Sequence, residues 1–115
     1  MKVAIIGSRN IPDPEAVYNL ICGKVPINCT EIVSGGAEGV DKLAERYADE
    51  HGIPIKIFYP QYEKYGRNAT LLRNTEIVKY ADHVLAFVHG DHPRGSADTA
   101  KKCLEYGKSL KVFNV

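Results

Sequence analysis

Short apolar runs alternate along the chain with segments in which apolar residues recur at helical spacing. The clearest helical segment carries apolar residues at intervals of three and four, namely Val40, Leu43, Ala44, Tyr47 and Ala48. Five other runs have the length and apolar content of buried strands, and they cover residues 3–6, 31–33, 55–58, 83–88 and 110–115. The pattern therefore predicts five strands and four helices in alternation.

Capping residues and glycines predict where the helices begin and end. Asp13, which is followed by a proline, predicts the start of the first helix, and Gly23 predicts its end. Residues 61–68 are expected to form a polar loop before the third helix. Ser96 is expected to cap the fourth helix, and the apolar residues of that helix are expected to lie on one face, namely Ala97, Ala100, Cys103 and Leu104.

Alternating strands and helices are typical of βαβ units, which join parallel strands by right-handed crossovers. The predicted fold class is therefore α/β, with a doubly wound parallel sheet of about five strands in the order 3-2-1-4-5 and helices on both faces. At 115 residues, the chain is expected to form a single domain over residues 1–115. In such a sheet the ligand crevice lies outside the carboxyl ends of strands 1 and 4, where the strand order reverses.

Three glycine-rich breaks follow predicted strands and lead into helices or loops at this crevice. They occupy residues 7–9, 34–41 and 89–96. A glycine loop at a helix N-terminus offers free backbone N–H groups and the positive end of the helix dipole, and both favour an anion such as a phosphate. The residues of these loops predicted to bind a ligand through backbone or side chain are Gly7, Ser8, Arg9, Ser34, Gly35, Gly36, Gly39, Gly90, Gly95 and Ser96.

Side chains suited to a nucleotide accompany these loops. Arg9 is expected to pair with a phosphate through its planar guanidinium, and Asp41 is expected to accept a hydrogen bond from a ribose hydroxyl. Arg73 and Asn74 are expected to close the pocket from the third helix, because an amide both donates and accepts hydrogen bonds. The alternatives are a tight strand-to-helix turn at residues 34–41 and a solvent-facing arginine at position 9.

The candidate catalytic groups are carboxylates, because the spacing indicates no serine–histidine–aspartate series and no cysteine nucleophile. Glu38, Asp41 and Asp98 could orient a water or stabilise an oxocarbenium-like ribose, by analogy with glycoside hydrolysis. Glu38 could equally be an exposed acidic residue of the loop without a catalytic role. His89 and His92 are close in sequence, but no third metal ligand stands out, so no metal site is expected.

Three tyrosines, Tyr59, Tyr62 and Tyr65, follow the third predicted strand. Their rings could stack on a nucleotide base. Tyrosines in such a position also commonly cover the edge of a sheet, so the sequence leaves both roles open.

The composition adds constraints on protein class and partners. An apolar share of 44% and a charged share of 25% are typical of a globular protein. The net charge of +1 gives no general attraction for polyanions, so a nucleic-acid partner is not expected. The three cysteines lack metal-ligand spacing and are interpreted as reduced thiols. Because no run approaches the roughly 20 apolar residues of a membrane span, and the first apolar run is too short for a signal peptide, we expect a cytoplasmic protein without membrane contact.

Four motifs in this order resemble the SLOG superfamily, and they lie at residues 7–9, 34–41, 73–74 and 90–99. The YspA-like branch is the most similar. The resemblance covers nearly the whole chain, and it implies a Rossmann-like fold that binds nucleotides or molecules derived from them.

The resemblance implies three kinds of function. The lonely-guy phosphoribohydrolases cleave nucleoside monophosphates and carry a catalytic glutamate at the position that Thr99 occupies here, which disfavours hydrolysis. Asp98 is one position away and would point about 100° away around the helix. Other relatives are sensors of nucleotide-derived signals, and the DNA-processing branch binds single-stranded DNA through basic surfaces.

The predicted function is therefore a binding or sensing module for a nucleotide-derived small molecule. The alternative is a nucleoside 5'-monophosphate phosphoribohydrolase, and the least favoured reading is a single-stranded DNA-handling protein. A homo-oligomer and a separate effector protein both stay open as partners. No cofactor is expected.

Overall fold

Five strands form a parallel sheet: β1 (Lys2–Gly7), β2 (Glu31–Ser34), β3 (Ile55–Ile57), β4 (His83–Val88) and β5 (Ser109–Asn114). Their order across the sheet is β3-β2-β1-β4-β5, which confirms the predicted topology. The computed structural model describes the backbone of residues 1–90 and 94–115, and the side chains of residues 1–90 and 98–115. The order reverses between β1 and β4, so this is the point at which a doubly wound sheet forms its crevice.

In the described part of the chain the strands are joined by α1 (Pro14–Lys24), α2 (Val40–His51), α3 (Tyr62–Tyr65), α4 (Ala69–Tyr80) and α5 (Arg94–Glu105). The carboxylate of Asp13 accepts a hydrogen bond of 3.1 Å from the backbone N–H of Ala16, which confirms the predicted start of the first helix. Gly52 ends α2 in a left-handed conformation, as expected of a helix-terminating glycine.

The sheet buries apolar side chains on both faces, because successive residues of a strand point to opposite sides. On one face Val3 and Ile5 of β1 pack with α1 and α2. On the other face Ala4 packs with α4 and α5, which contribute Ile77 and Cys103 to that layer. Helices therefore cover both faces, as predicted. The loops that follow the strands lie at the carboxyl end of the sheet.

Two helix boundaries differ from the prediction. α1 continues through Gly23 to Lys24, because a glycine inside a helix costs only about 1 kcal/mol and does not by itself end it. α5 begins at Arg94, so Ser96 lies in its first turn and is not its cap.

Two further predictions about burial and loops are wrong. Leu104 was expected on the buried face of its helix, but its side chain is 86% exposed. Cys103, which was expected on the same face, is buried, and Leu104 is rotated by about 100° from it around the helix. Residues 61–68 form α3 and a 3₁₀ turn (Gly66–Asn68) in place of a loop, because the backbone N–H of Tyr65 reaches the carbonyl of Gln61 at 3.0 Å. A polar sequence does not exclude such local hydrogen bonds.

Candidate functional site

A cleft opens at the carboxyl end of the sheet, beside the point where the strand order reverses. Its volume is about 180 Å³. The predicted site residues that line it are Gly7, Ser8, Arg9, Asp41, Arg73 and Asn74. They come from the end of β1 and the loop after it, from α2 and from α4, so the fold brings together residues that are far apart in sequence.

The end of β1 is held against β4 and α2 by backbone contacts. The N–H of Ser8 donates to the carbonyl of Phe87 at 3.0 Å, and the carbonyl of Ser8 accepts from the N–H of Val40 at 3.1 Å. A side chain at Gly7 would not fit, because its Cβ would lie 2.0 Å from the carbonyl oxygen of Phe87. The hydroxyl of Ser8 accepts a hydrogen bond of 2.8 Å from the N–H of His89, and its own proton is free to point elsewhere.

Gly39 allows the loop before α2 to approach the loop after β1. Its φ is +75°, and a Cβ there would lie 2.3 Å from the carbonyl oxygen of Ser8 and 2.4 Å from that of Arg9. Both the backbone conformation and the space therefore require glycine. Two of the three glycine-rich loops predicted from the sequence thus meet at Gly39.

The buried hydroxyl of Ser34 fixes the shape of the loop after β2. Its side chain is fully buried, and its hydroxyl donates to the carbonyl of Asp41 at 3.2 Å and accepts from the N–H of Gly36 at 3.3 Å. The carbonyl of Ser34 accepts from the N–H of Phe58, which extends the pairing of β2 with β3. Ser34 therefore lies beneath the loop and outside the lining of the cleft.

Asp41 is a nearly buried carboxylate on the wall of the cleft, with 4% of its surface exposed. Its Oδ2 accepts a hydrogen bond of 3.2 Å from the N–H of Ala37. Its Oδ1 is buried and has no hydrogen-bond partner among the described residues. Burial raises the pKa of Asp41 to about 6, although the Ala37 N–H and the charges of Arg73 and Arg9 oppose the rise. A carboxylate that lines a cleft and has one oxygen without a partner among the described residues is suited to accept a hydrogen bond from a ligand.

Arg73 joins α4 to the loop after β2. Its Nη1 donates to the carbonyl of Gly35 at 2.6 Å, and its Nε donates to the amide oxygen of Asn74 at 3.1 Å. Burial lowers the pKa of Arg73, and the negative charge of Asp41 counteracts this effect. Arg73 thus places a positive charge on the cleft wall that faces Asp41.

Asp98 takes part in a hydrogen-bond network between α4 and α5. Its Oδ2 accepts from Nζ of Lys102 at 2.9 Å and lies 3.5 Å from Nδ2 of Asn74. Nζ of Lys102 also donates to the carbonyl of Leu71 at 2.8 Å. The sequence analysis did not identify Lys102, although its spacing of four from Asp98 on one helix was a usable signal.

The remaining predicted residues lie around the cleft or beyond the described side chains. Glu38 is exposed and, like Gly39, lines a neighbouring surface groove that shares Arg9 with the cleft. Gly35 and Gly36 flank the cleft in the loop after β2, and Gly90 is exposed after β4. Gly95 and Ser96 were predicted to complete the anion site, but the side chains at these positions fall outside the described residues. His92, which the sequence analysis considered as a metal ligand, also falls outside them.

Thr99 lines the cleft from α5 and is 2% exposed. A threonine side chain carries no charge, so the cleft wall is neutral at this position. In residues 1–90 and 94–115, taken with their described side chains, no group of three histidine, cysteine or acidic residues could hold a metal ion. No helix among the described residues is both long and apolar enough to cross a bilayer.

The chain is similar in sequence to a known protein family and to a curated relative. The family described as "YspA, cpYpsA-related SLOG family" matches residues 1–65, which include the loops after β1 and β2. The chain is 30% identical over 120 residues to the Gene 61 protein of Mycobacterium phage D29, in a match that covers 96% of this chain and 91% of that protein. No solved structure matches the chain.

Proposed function

Since the chain belongs to the YspA, cpYpsA-related SLOG family, we propose that its cleft binds the phosphorylated ribose of a nucleotide-derived small molecule, as a binding or sensing module. Membership of this family is consistent with a nucleotide-related binding module. The observation that carries the finer proposal is the buried carboxylate of Asp41, which lines the cleft together with Arg9 and Arg73.

Asp41 needs a donor that the described residues do not supply. A buried polar atom without a hydrogen bond costs about 1–3 kcal/mol, and more when it carries charge. The Oδ1 of Asp41 is such an atom in the described part of the molecule. A ribose hydroxyl is a neutral donor of suitable size, and its hydrogen bond to Asp41 would stabilise the ionised carboxylate.

Arg9 is the group best placed to receive the phosphate. The Nη1 and Nε atoms of Arg73 are already hydrogen-bonded within the protein, whereas Arg9 is exposed at the mouth of the cleft. The hydroxyl of Ser8 can donate its proton to the same anion, because its oxygen accepts from His89. Arginine and phosphate form bidentate, charge-assisted hydrogen bonds, which favours this assignment.

Hydrolysis of the N-glycosidic bond is a second candidate, and one observation favours it. A carboxyl whose pKa is raised to about 6 is suited to transfer a proton near neutral pH, and Asp41 is such a group on the cleft wall. Of the other two carboxylates considered, Glu38 lies on the neighbouring groove and Asp98 is bonded to Lys102. Asp41 would therefore be the acid or base in that reaction.

The test is incubation of the protein with nucleoside mono-, di- and triphosphates and dinucleotides, read by thermal shift and by chromatography of the products. We expect at least one compound to raise the melting temperature and to be recovered intact. Arg9→Ala should weaken its binding at least tenfold, since a charged hydrogen bond contributes about 1.5–3 kcal/mol. Arg67→Ala, at an exposed arginine outside the cleft lining, is the matched control.

The same measurement separates the two candidate functions. Release of a free base that is lost in Asp41→Asn, while binding persists, would establish the hydrolase. If no compound binds, or if Arg9→Ala binds as tightly as the unmodified protein, the proposed site is wrong.

A further inference from the structure

The cleft is too small to enclose a whole nucleotide. Its volume of about 180 Å³ is below the roughly 300–1,000 Å³ of pockets that enclose a drug-sized ligand. If the ribose phosphate occupies the cleft, the base has to lie outside it. The surface beside the mouth therefore decides how the base is held.

Three exposed tyrosines, here called the tyrosine face, follow β3: Tyr59, Tyr62 and Tyr65, with 61%, 54% and 38% of their surface exposed. The carboxyl end of β3 lies at the same end of the parallel sheet as those of β1 and β2. Exposed aromatic rings of this kind leave apolar surface in water. A planar ligand group can cover that surface.

Tyr59 stands directly against the glycine loop. A Cβ on Gly36 would lie 2.6 Å from Cε1 of Tyr59 and 2.9 Å from its Cδ1, so the ring packs closely against this residue of the loop. Because 61% of the surface of Tyr59 stays exposed, much of its ring is accessible to a ligand. Glycine at position 36 is what lets the ring come this close.

Arg73 connects the tyrosine face with the cleft. It lines the cleft together with Asp41, and it also lines a narrow groove with Tyr59 and Tyr65. The two surfaces are thus separated by the thickness of one side chain. A ligand with its sugar phosphate in the cleft would have to extend past Arg73 to contact the tyrosine face.

We propose that Tyr59 stacks on the heterocyclic base of the ligand while the ribose phosphate occupies the cleft. This inference rests on the proposed function and deepens it, because it makes the ligand a molecule that carries an aromatic base. Stacking tolerates any base, since every base has a π face. The tyrosine face therefore distinguishes base-bearing ligands from free sugar phosphates more strongly than it distinguishes one base from another.

The experiment compares the binding of the four nucleoside 5'-monophosphates with that of ribose 5-phosphate by titration calorimetry. Tyr59→Ala should weaken nucleotide binding by roughly 5- to 150-fold, the range that loss of one base–aromatic stack produces. The same variant should bind ribose 5-phosphate as the unmodified protein does. Tyr59→Phe keeps the ring and should bind both ligands normally.

Tyr106→Ala is the matched control, because Tyr106 is 39% exposed but precedes β5 and so lies at the amino end of the sheet. It should leave the binding of both ligands unchanged. A second readout uses Tyr59→Trp, since the chain has no other tryptophan. Its fluorescence should change on addition of a nucleoside monophosphate and not on addition of ribose 5-phosphate.

The outcomes separate this inference from the proposed function. Equal nucleotide affinity of Tyr59→Ala and the unmodified protein, with ribose 5-phosphate still bound, would overturn the stacking role and leave the cleft assignment standing. Absence of binding of all five compounds to the unmodified protein would overturn the stacking inference, and the proposed function also fails if none of the nucleoside di- and triphosphates or dinucleotides binds.

Discussion

The guanidinium Nη1 of Arg73 donates a hydrogen bond of 2.6 Å to the carbonyl oxygen of Gly35, and this bond ties α4 to the loop after β2. The two residues are 38 positions apart in sequence. A Cβ at position 35 would lie 2.7 Å from this Nη1, so any side chain there would force the guanidinium to shift from its present position. The bond therefore holds the cleft wall in place before any ligand arrives.

Removing this bond should destabilise the protein. Arg73→Met keeps most of the side-chain length and loses the charged donor, so we expect the free energy of unfolding to fall by about 2 kcal/mol. Urea denaturation followed by circular dichroism measures the change. Arg67→Met, at an exposed position in the 3₁₀ turn, should change the same quantity by less than about 0.5 kcal/mol. Equal effects of the two substitutions would show that the bond to Gly35 contributes nothing.

Three glycines should respond differently to alanine, because their surroundings differ. Gly39→Ala should lower the free energy of unfolding by about 3 kcal/mol or more, since it combines a positive φ with clashes against two carbonyl oxygens. Gly52→Ala has a similar φ but open space around it, so we expect a cost of about 1–2 kcal/mol. Gly23→Ala lies inside α1 with open space and should stabilise the protein by about 0.5–1 kcal/mol.

Thermal and urea unfolding of the three variants under the same conditions gives this ranking directly. A Gly39→Ala protein as stable as Gly52→Ala would mean that the loops after β1 and before α2 do not meet as closely as the contact at Gly39 indicates.

The sequence predicts the sheet order because alternating strands and helices leave few topologies once right-handed crossovers are required. It also predicts that the loops after β1 and β2 converge, and Gly39 does stand against the carbonyls of Ser8 and Arg9. That these residues bind a ligand stays a prediction.

Other features of the site depend on tertiary packing and could not be predicted in this way. The raised pKa of Asp41 comes from burial, which residue type does not reveal. The contact of Tyr59 with Gly36 depends on β3 pairing with β2 at the sheet edge. Leu104 shows the same limit, because periodicity alone assigned a largely exposed side chain to the core.

The stability of the protein should depend on pH through Asp41. In the unfolded chain this carboxyl loses its proton near pH 4, whereas in the fold its pKa is about 6. Between these values the folded protein retains a proton that the unfolded chain has released, so unfolding becomes more favourable as the pH rises from 4 to 6. Above pH 6 the full cost of the buried charge is present.

Asp41→Asn removes this dependence while keeping an oxygen that can accept from the N–H of Ala37. We expect the variant to gain stability relative to the unmodified protein by about 2–3 kcal/mol between pH 4 and pH 7. Urea denaturation at several pH values in this interval measures the difference. A difference that is constant with pH would show that Asp41 titrates at its ordinary value in the fold.

The ion pair between Asp98 and Lys102 should contribute more to stability than an exposed pair of the same spacing. Its N–O distance is 2.9 Å, and the two side chains are only 21% and 16% exposed, respectively. The acid also precedes the base along α5, which is the favourable orientation relative to the helix dipole. A double-mutant cycle with Asp98→Asn and Lys102→Met should therefore give a coupling free energy of about 1 kcal/mol.

The pair between Arg46 and Glu50 in α2 is the internal control. It has the same spacing of four and an N–O distance of 3.1 Å, but its side chains are 37% and 47% exposed and its base precedes its acid. The corresponding cycle should give about 0.2–0.5 kcal/mol. Raising the salt concentration to 1 M should reduce the coupling of the Arg46–Glu50 pair by the larger fraction, because solvent ions screen exposed charges more effectively. Equal coupling energies with equal salt dependence would mean that Asp98 and Lys102 behave as a surface pair, and the network that joins α5 to Asn74 would then not restrain the wall of the cleft.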